Sequence, residues 1–174
     1  MNELKKIMSI DAESDGLWGN PFAVAAIVYE NGKEIDQIVL RLPNSAVSNE
    51  WVKENVLPTL DSVKITHEVY EDMMRDFASF YLKHKDAATL WHMGHIVESH
   101  LFREMHRLGF IGDWDAPYTP IEVSAYLERE GEPSDSVDSY AKKHNLEIKD
   151  YGTSHNPLYD CEVAYRVYQH ILSE

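Results

Sequence analysis

The chain has 174 residues, 44% of them hydrophobic and 26% charged, proportions that suit one globular domain over 1–174 and exclude a disordered chain. Its one cysteine, Cys161, excludes an intrachain disulfide and a cysteine-built zinc site. The formal net charge of −14 counts against broad electrostatic attachment to nucleic acid, and the absence of a long apolar run or secretory core leads to the expectation of a soluble, cytoplasmic protein.

In chain order, the apolar runs at 5–13, 21–30 and 33–43 predict three strands. Asn31-Gly32 joins the last two as a hairpin turn, since both residues accept positive φ, so the start reads as an antiparallel meander. Residues 48–60 predict a helix capped by Ser48 and stopped at Pro58. Residues 66–84 predict a second helix, capped by Thr66, because Val69, Met73, Phe77, Phe80 and Tyr81 recur at spacings of three and four. A short strand at 87–93 precedes a helix at 98–108 that Gly109 closes. A short strand at 120–123 runs into a helix at 124–129, and helices at 136–144 and 157–172 follow. A sheet begun by a meander and extended by strands between helices is an α/β architecture.

Asp11 and Glu13 end the first strand two residues apart, so both carboxylates point to one face. They repel each other unless a cation lies between them, and hard cations such as Mg²⁺ prefer oxygen ligands. Taken alone, a strand end reaching solvent explains the pair as well. Asp160 is more specific, because Ala164, Val167, Tyr168 and Ile171 continue its stripe along the last helix. A carboxylate on that apolar face is costly to desolvate unless it is paired or coordinates a metal. Glu98 repeats the pattern above Leu101, Phe102 and Met105. Together the four acids form a candidate pocket for two metal ions. His155 stands just before the last helix, five residues from Asp160, where a neutral imidazole can take a proton from water.

D-A-E at 11–13, an acid after the central strand and H-x-x-x-x-D at 155–160 resemble the DEDD exonuclease superfamily, histidine subtype (DEDDh). Proofreading exonuclease subunits, oligoribonuclease and RNase T belong to it. The segment D-S-V-D-S-Y-A-K-K-H-N-L at 135–146 is similar to the family's helix before the last motif. W-V-x-x-x-V-L-P at 51–58, and Leu90-Trp91 ahead of Glu98, resemble the RNase AS-like branch of 3′-5′ exoribonucleases.

The resemblance implies a ribonuclease H-like fold, a five-stranded mixed sheet with an antiparallel βββ start and flanking helices. It implies Asp11, Glu13, Glu98 and Asp160 as catalytic metal ligands for two Mg²⁺ or Mn²⁺ ions, and His155 as general base. The implied substrate is the 3′ end of single-stranded nucleic acid, RNA favoured over DNA, released as nucleoside 5′-monophosphates. Ser14, Leu17 and Trp18 are then expected at the terminal nucleotide, and a homodimer is an expected partner state. Lys142, Lys143 and Lys149 read as a solvated face in preference to phosphate contacts. One departure stands out: Glu98 replaces the family's usual Asp, and its extra methylene moves the carboxylate by on the order of 1 Å, enough to slow chemistry. A weakened or silent nucleic-acid-binding module of the same fold, or a hydrolase of very short oligonucleotides, are the competing expectations.

Overall fold

The structure is a computed structural model and describes residues 6–173; Lys5, at the start of the predicted first strand, lies outside them. Five strands form one sheet: β1 (Ile7–Ser14), β2 (Pro21–Glu30), β3 (Lys33–Arg41), β4 (Ala88–Trp91) and β5 (Ile121–Glu122). Their order is β3-β2-β1-β4-β5. The first three pair antiparallel through the expected hairpin, where Asn31 and Gly32 have φ of 54° and 77°. β4 adds parallel to β1 and β5 parallel to β4, which makes the sheet mixed.

Among the described residues, six α-helices pack around the sheet: α1 (Glu50–Asn55), α2 (Tyr70–Lys83), α3 (Val97–Arg107), α4 (Val123–Arg129), α5 (Val137–Lys143) and α6 (Pro157–Ser173). Alternation along β1 sorts its side chains between two cores. Met8, Ile10 and Ala12 face one with residues of α2 and α3. Ile7 faces the other with residues of α4, α5 and α6. By the two-residue period of a strand, Ser9, Asp11 and Glu13 share the face of Ile7, the face that α6 covers. The Ser9 hydroxyl donates to the Cys161 carbonyl at 2.8 Å, which pins β1 to α6 one residue beyond Asp160.

Two helix starts differ from expectation. Asn49, not Ser48, caps α1, its side chain accepting from the Val52 N–H at 3.1 Å. Ser48 is instead engaged by Asp15, which accepts from its N–H at 2.9 Å and its hydroxyl at 2.7 Å. Helix α2 begins at Tyr70 with no side-chain cap, because the Thr66 hydroxyl is taken by the Arg41 backbone N–H at 2.9 Å. In both cases a long-range partner outcompetes the local capping bond.

Candidate active site

Asp11 and Glu13 end β1, and Asp160 lies in the first turn of α6 across from them. Asp11, Glu13 and Asp160 each offer an oxygen within 4.8 Å of the others'. Chain direction explains the meeting: β1 runs toward this edge, α6 starts there, and the Ser9–Cys161 bond sets their register. The edge is also the carboxyl end of the parallel pair β1 and β4, where open α/β sheets place their ligands.

Glu98 reaches the same cavity from the α3 side of the sheet and is buried. One of its oxygens accepts from the Ala12 N–H at 3.2 Å, which turns it to the edge of the three-carboxylate group. The loop that delivers it is clamped by Glu122, which accepts from the Trp91 indole N–H at 2.6 Å and the Gly94 N–H at 3.1 Å. Gly94 has to be glycine here, since a Cβ would sit 2.3 Å from the Trp91 ring.

His155 occupies the left-handed region, with φ of 70°. Such a conformation is uncommon for a residue with a side chain and persists where its surroundings hold it. The holding contact is visible: the His155 N–H donates to Asp160 at 2.9 Å. The ring projects over the cavity mouth with Nδ1 3.8 Å from Glu13, and the Trp51 ring of α1 meets it edge-on at 5.9 Å.

The electrostatics are those of negative groups collected without a cation. Burial, then the charges of Asp160, Glu13 and Glu98, pushes the Asp11 carboxyl well above its ordinary range. Burial and then Glu13 push Asp160 up to about 8, against the opposing hydrogen bond from His155. Burial pushes Glu98 up to about 8 as well, its backbone hydrogen bonds pulling the other way. Glu13 is raised by burial, partly offset by His155. The neighbouring Glu13 carboxylate raises His155 in turn, against partial burial. Asp11 Oδ2 is buried and has no hydrogen-bond partner. An orphaned carboxylate oxygen beside two further carboxylates is a donor set that suits a hard divalent cation.

The cavity measures about 300 Å³ and is also lined by His92, Met93, Asp135 and Asp138, which sequence reasoning did not place there. His92 carried a faint signal in flanking the strand before Glu98. Asp138 carried one in the 135–146 segment, and the Tyr159 hydroxyl donates to it at 2.6 Å. Of the loop residues, Ser14 turns inward and donates to the Gly16 carbonyl at 2.7 Å. Leu17 and Trp18 stand exposed on a separate cavity of about 260 Å³, which Ile96 and Ser99 border on either side of Glu98 in the chain. Lys142, Lys143 and Lys149 are ion-paired with Asp138, Glu132 and Glu34.

No protein-family model matches the chain, and no curated protein does. Solved structures do match. Exonuclease X in complex with 5′-overhanging duplex DNA superposes with a TM-score of 0.61 at 16% identity, covering 96% of this chain and 91% of that one. The zinc-ion-bound E. coli ExoI in complex with single-stranded DNA gives 0.57 at 13% identity, over 98% of this chain and 43% of that one. This chain thus spans less than half the length of ExoI. The class that follows is structural: an α/β protein of ribonuclease H-like fold, with the mixed five-stranded sheet found in these exonucleases.

Proposed function

We propose that this chain is a metal-dependent 3′-5′ exonuclease of the DEDD superfamily, histidine subtype. The observation that carries the reading is the group of Asp11, Glu13 and Asp160, with one buried oxygen of Asp11 unpartnered. These three would hold Mg²⁺ or Mn²⁺, two ions per site, with Glu98 as the fourth carboxylate at their edge. Bound there, the ions supply acidity to water and positive charge to the phosphate, and they shift the formal charge from −14 to about −10.

The chain's own residues do the rest. With His155 Nδ1 directed at Glu13, Nε2 is left to accept the proton of the attacking water. Water oxygen joins phosphorus, the P–O3′ bond breaks with its electron pair on O3′ of the shortened strand, which takes a proton from solvent, and a nucleoside 5′-monophosphate departs. A cavity of about 300 Å³ is at the small end of ligand pockets, which suits one terminal nucleotide and not a duplex. Leu17 and Trp18 would meet the base of the 3′-terminal nucleotide from the edge of the cavity, and Ser14 shapes their loop. RNA is favoured over DNA on the resemblance of the 51–58 segment to the RNase AS-like branch.

A second reading, a weakened or silent binding module, draws on Glu98, whose Ala12 hydrogen bond keeps it outside the three-carboxylate group. End-labelled single-stranded RNA, single-stranded DNA and duplexes, each digested with Mg²⁺, Mn²⁺ or EDTA, separate the two. Stepwise metal-dependent shortening of RNA, lost in Asp160→Ala and His155→Ala, is expected. Equal rates in the parent and both variants would sink the site assignment, and RNA binding without cleavage would favour the silent module.

A further inference from the structure

Helix α3 carries Glu98 into the catalytic cavity and Arg103 onto its outer face, five residues further on. That is roughly 7.5 Å along the helix axis. Arg103 lines the cavity of about 260 Å³ beside Leu17 and Trp18. It also lines a larger groove of about 800 Å³ that extends past Trp91 and His106 to Tyr118. His95, Ser99 and Arg103 border both spaces, so the two lie side by side along α3.

Among the described arginines, Arg103 is set apart by being both exposed and outside any ion pair. In this acidic chain most lysines and arginines are held in ion pairs, such as Lys6 with Asp86, Arg107 with Glu104 and Arg166 with Glu162. Arg41 is turned inward onto the carbonyls of Leu60 and Val63. Arg103 is exposed and has no carboxylate within ion-pairing distance among the described residues. An uncommitted guanidinium suits a phosphate, which it can grip through two parallel hydrogen bonds. Exposed aromatic rings stand on either side of it. Trp18 is 79% exposed, and at the far rim Tyr118, 70% exposed, stacks with Trp114 at 6.1 Å. A cation between aromatic platforms is the composition that holds a single strand, with the phosphate on the cation and the bases on the rings.

We propose that this face of α3 binds the nucleotides upstream of the scissile bond, with Arg103 on a backbone phosphate between Trp18 at the terminal base and Tyr118 as a stacking surface. The inference rests on the exonuclease reading of the neighbouring cavity. It makes the protein's grip depend on strand length, although the surface as a whole repels polyanions.

The test compares 5′-labelled single strands of two, four and eight nucleotides with the parent, Arg103→Ala and Arg103→Lys. Lys64→Ala, which removes an exposed lysine outside both spaces, serves as the control. Arg103→Ala should raise KM for the eight-nucleotide strand about tenfold, less than twofold for the dinucleotide, and act on KM more than on kcat. Arg103→Lys should recover part of the loss, because a lysine keeps the charge but not the two-pronged grip. Anisotropy of the eight-nucleotide strand with Mg²⁺, in a His155→Ala background, should show the same tenfold loss of affinity and a shallower salt dependence, by about one phosphate contact. A KM ratio that is the same at all lengths, or an unchanged Kd for the eight-nucleotide strand, would overturn the upstream subsite while leaving the exonuclease reading intact. A parent that neither binds nor shortens any strand would overturn both.

Discussion

Two carboxylates on α6, one fully buried and one half-buried, stand two residues apart and behave as opposites. Glu162 is fully buried, and its charge is matched: the Tyr29 hydroxyl donates to it, and Arg166 Nε donates to its other oxygen at 2.8 Å. Tyr165 stacks on Tyr29 and closes the arrangement. Asp160 instead faces Asp11 and Glu13 with no lysine or arginine among them. The same helix thus carries one closed polar cluster, complete without a ligand, and one open cluster that is complete only with a cation. Burial of an acid does not mark a site; burial without a counter-charge does.

The largest effect that would break this comparison is on activity. Asp160→Ala and Asp11→Asn are each expected to lower the rate of 3′ shortening by a factor of a thousand or more, read from single-turnover digests of labelled RNA. Activity retained within tenfold would mean that the open cluster is not the catalytic one. His155→Ala should cost about 10²–10⁴ in rate while leaving metal-induced stabilisation in place, because it removes the proton acceptor and no carboxylate.

The closed cluster should fail in stability. Glu162→Ala leaves Tyr29 and Arg166 without their acceptor and is expected to cost about 3 kcal/mol. In a chain of this size that lowers Tm by about 6–12 °C. Asp11→Asn should do the reverse in EDTA and raise Tm by a few degrees, since it relieves repulsion. If both substitutions shift Tm in the same direction, the two clusters are not different in kind.

A smaller effect is the pH dependence of the metal-free protein. Asp160 and Glu98 are pushed up to about 8, first by burial, whereas unfolded carboxylates titrate near 4. Between those values the folded state holds protons that the unfolded chain has released. This contribution to stability is therefore complete below about pH 4 and is lost as pH rises toward about 8. In EDTA, Tm should be several degrees lower at pH 8 than at pH 5, and saturating Mn²⁺ should remove most of the difference. A Tm that rises with pH in EDTA would contradict the repulsion described for the open cluster.

The open cluster was the more legible of the two. Asp11 and Glu13 follow from the two-residue period of a strand, and Asp160 from its place on an apolar stripe. The closed cluster was hidden because Glu162 and Arg166 are spaced as a solvated i, i+4 pair. Glu162 is nonetheless buried, and Arg166 half-buried, because α6 packs on β1 and β2 on one side and on α4 and α5 on the other. Arg103 was equally silent, since its groove is bounded by the irregular stretch at 112–118, whose path no periodicity predicts. The strands, the hairpin and the six helices were readable from apolar spacing. The caps at Ser48 and Thr66 were not, because Asp15 and Arg41, which displace them, are distant in sequence.

Calorimetric titration with Mn²⁺ tests the contrast most directly. The parent and Glu162→Gln should bind the ion with similar affinity, whereas Asp160→Ala and Asp11→Asn should lose a hundredfold or more. Equal affinity in all four proteins, or no binding by the parent, would contradict the account.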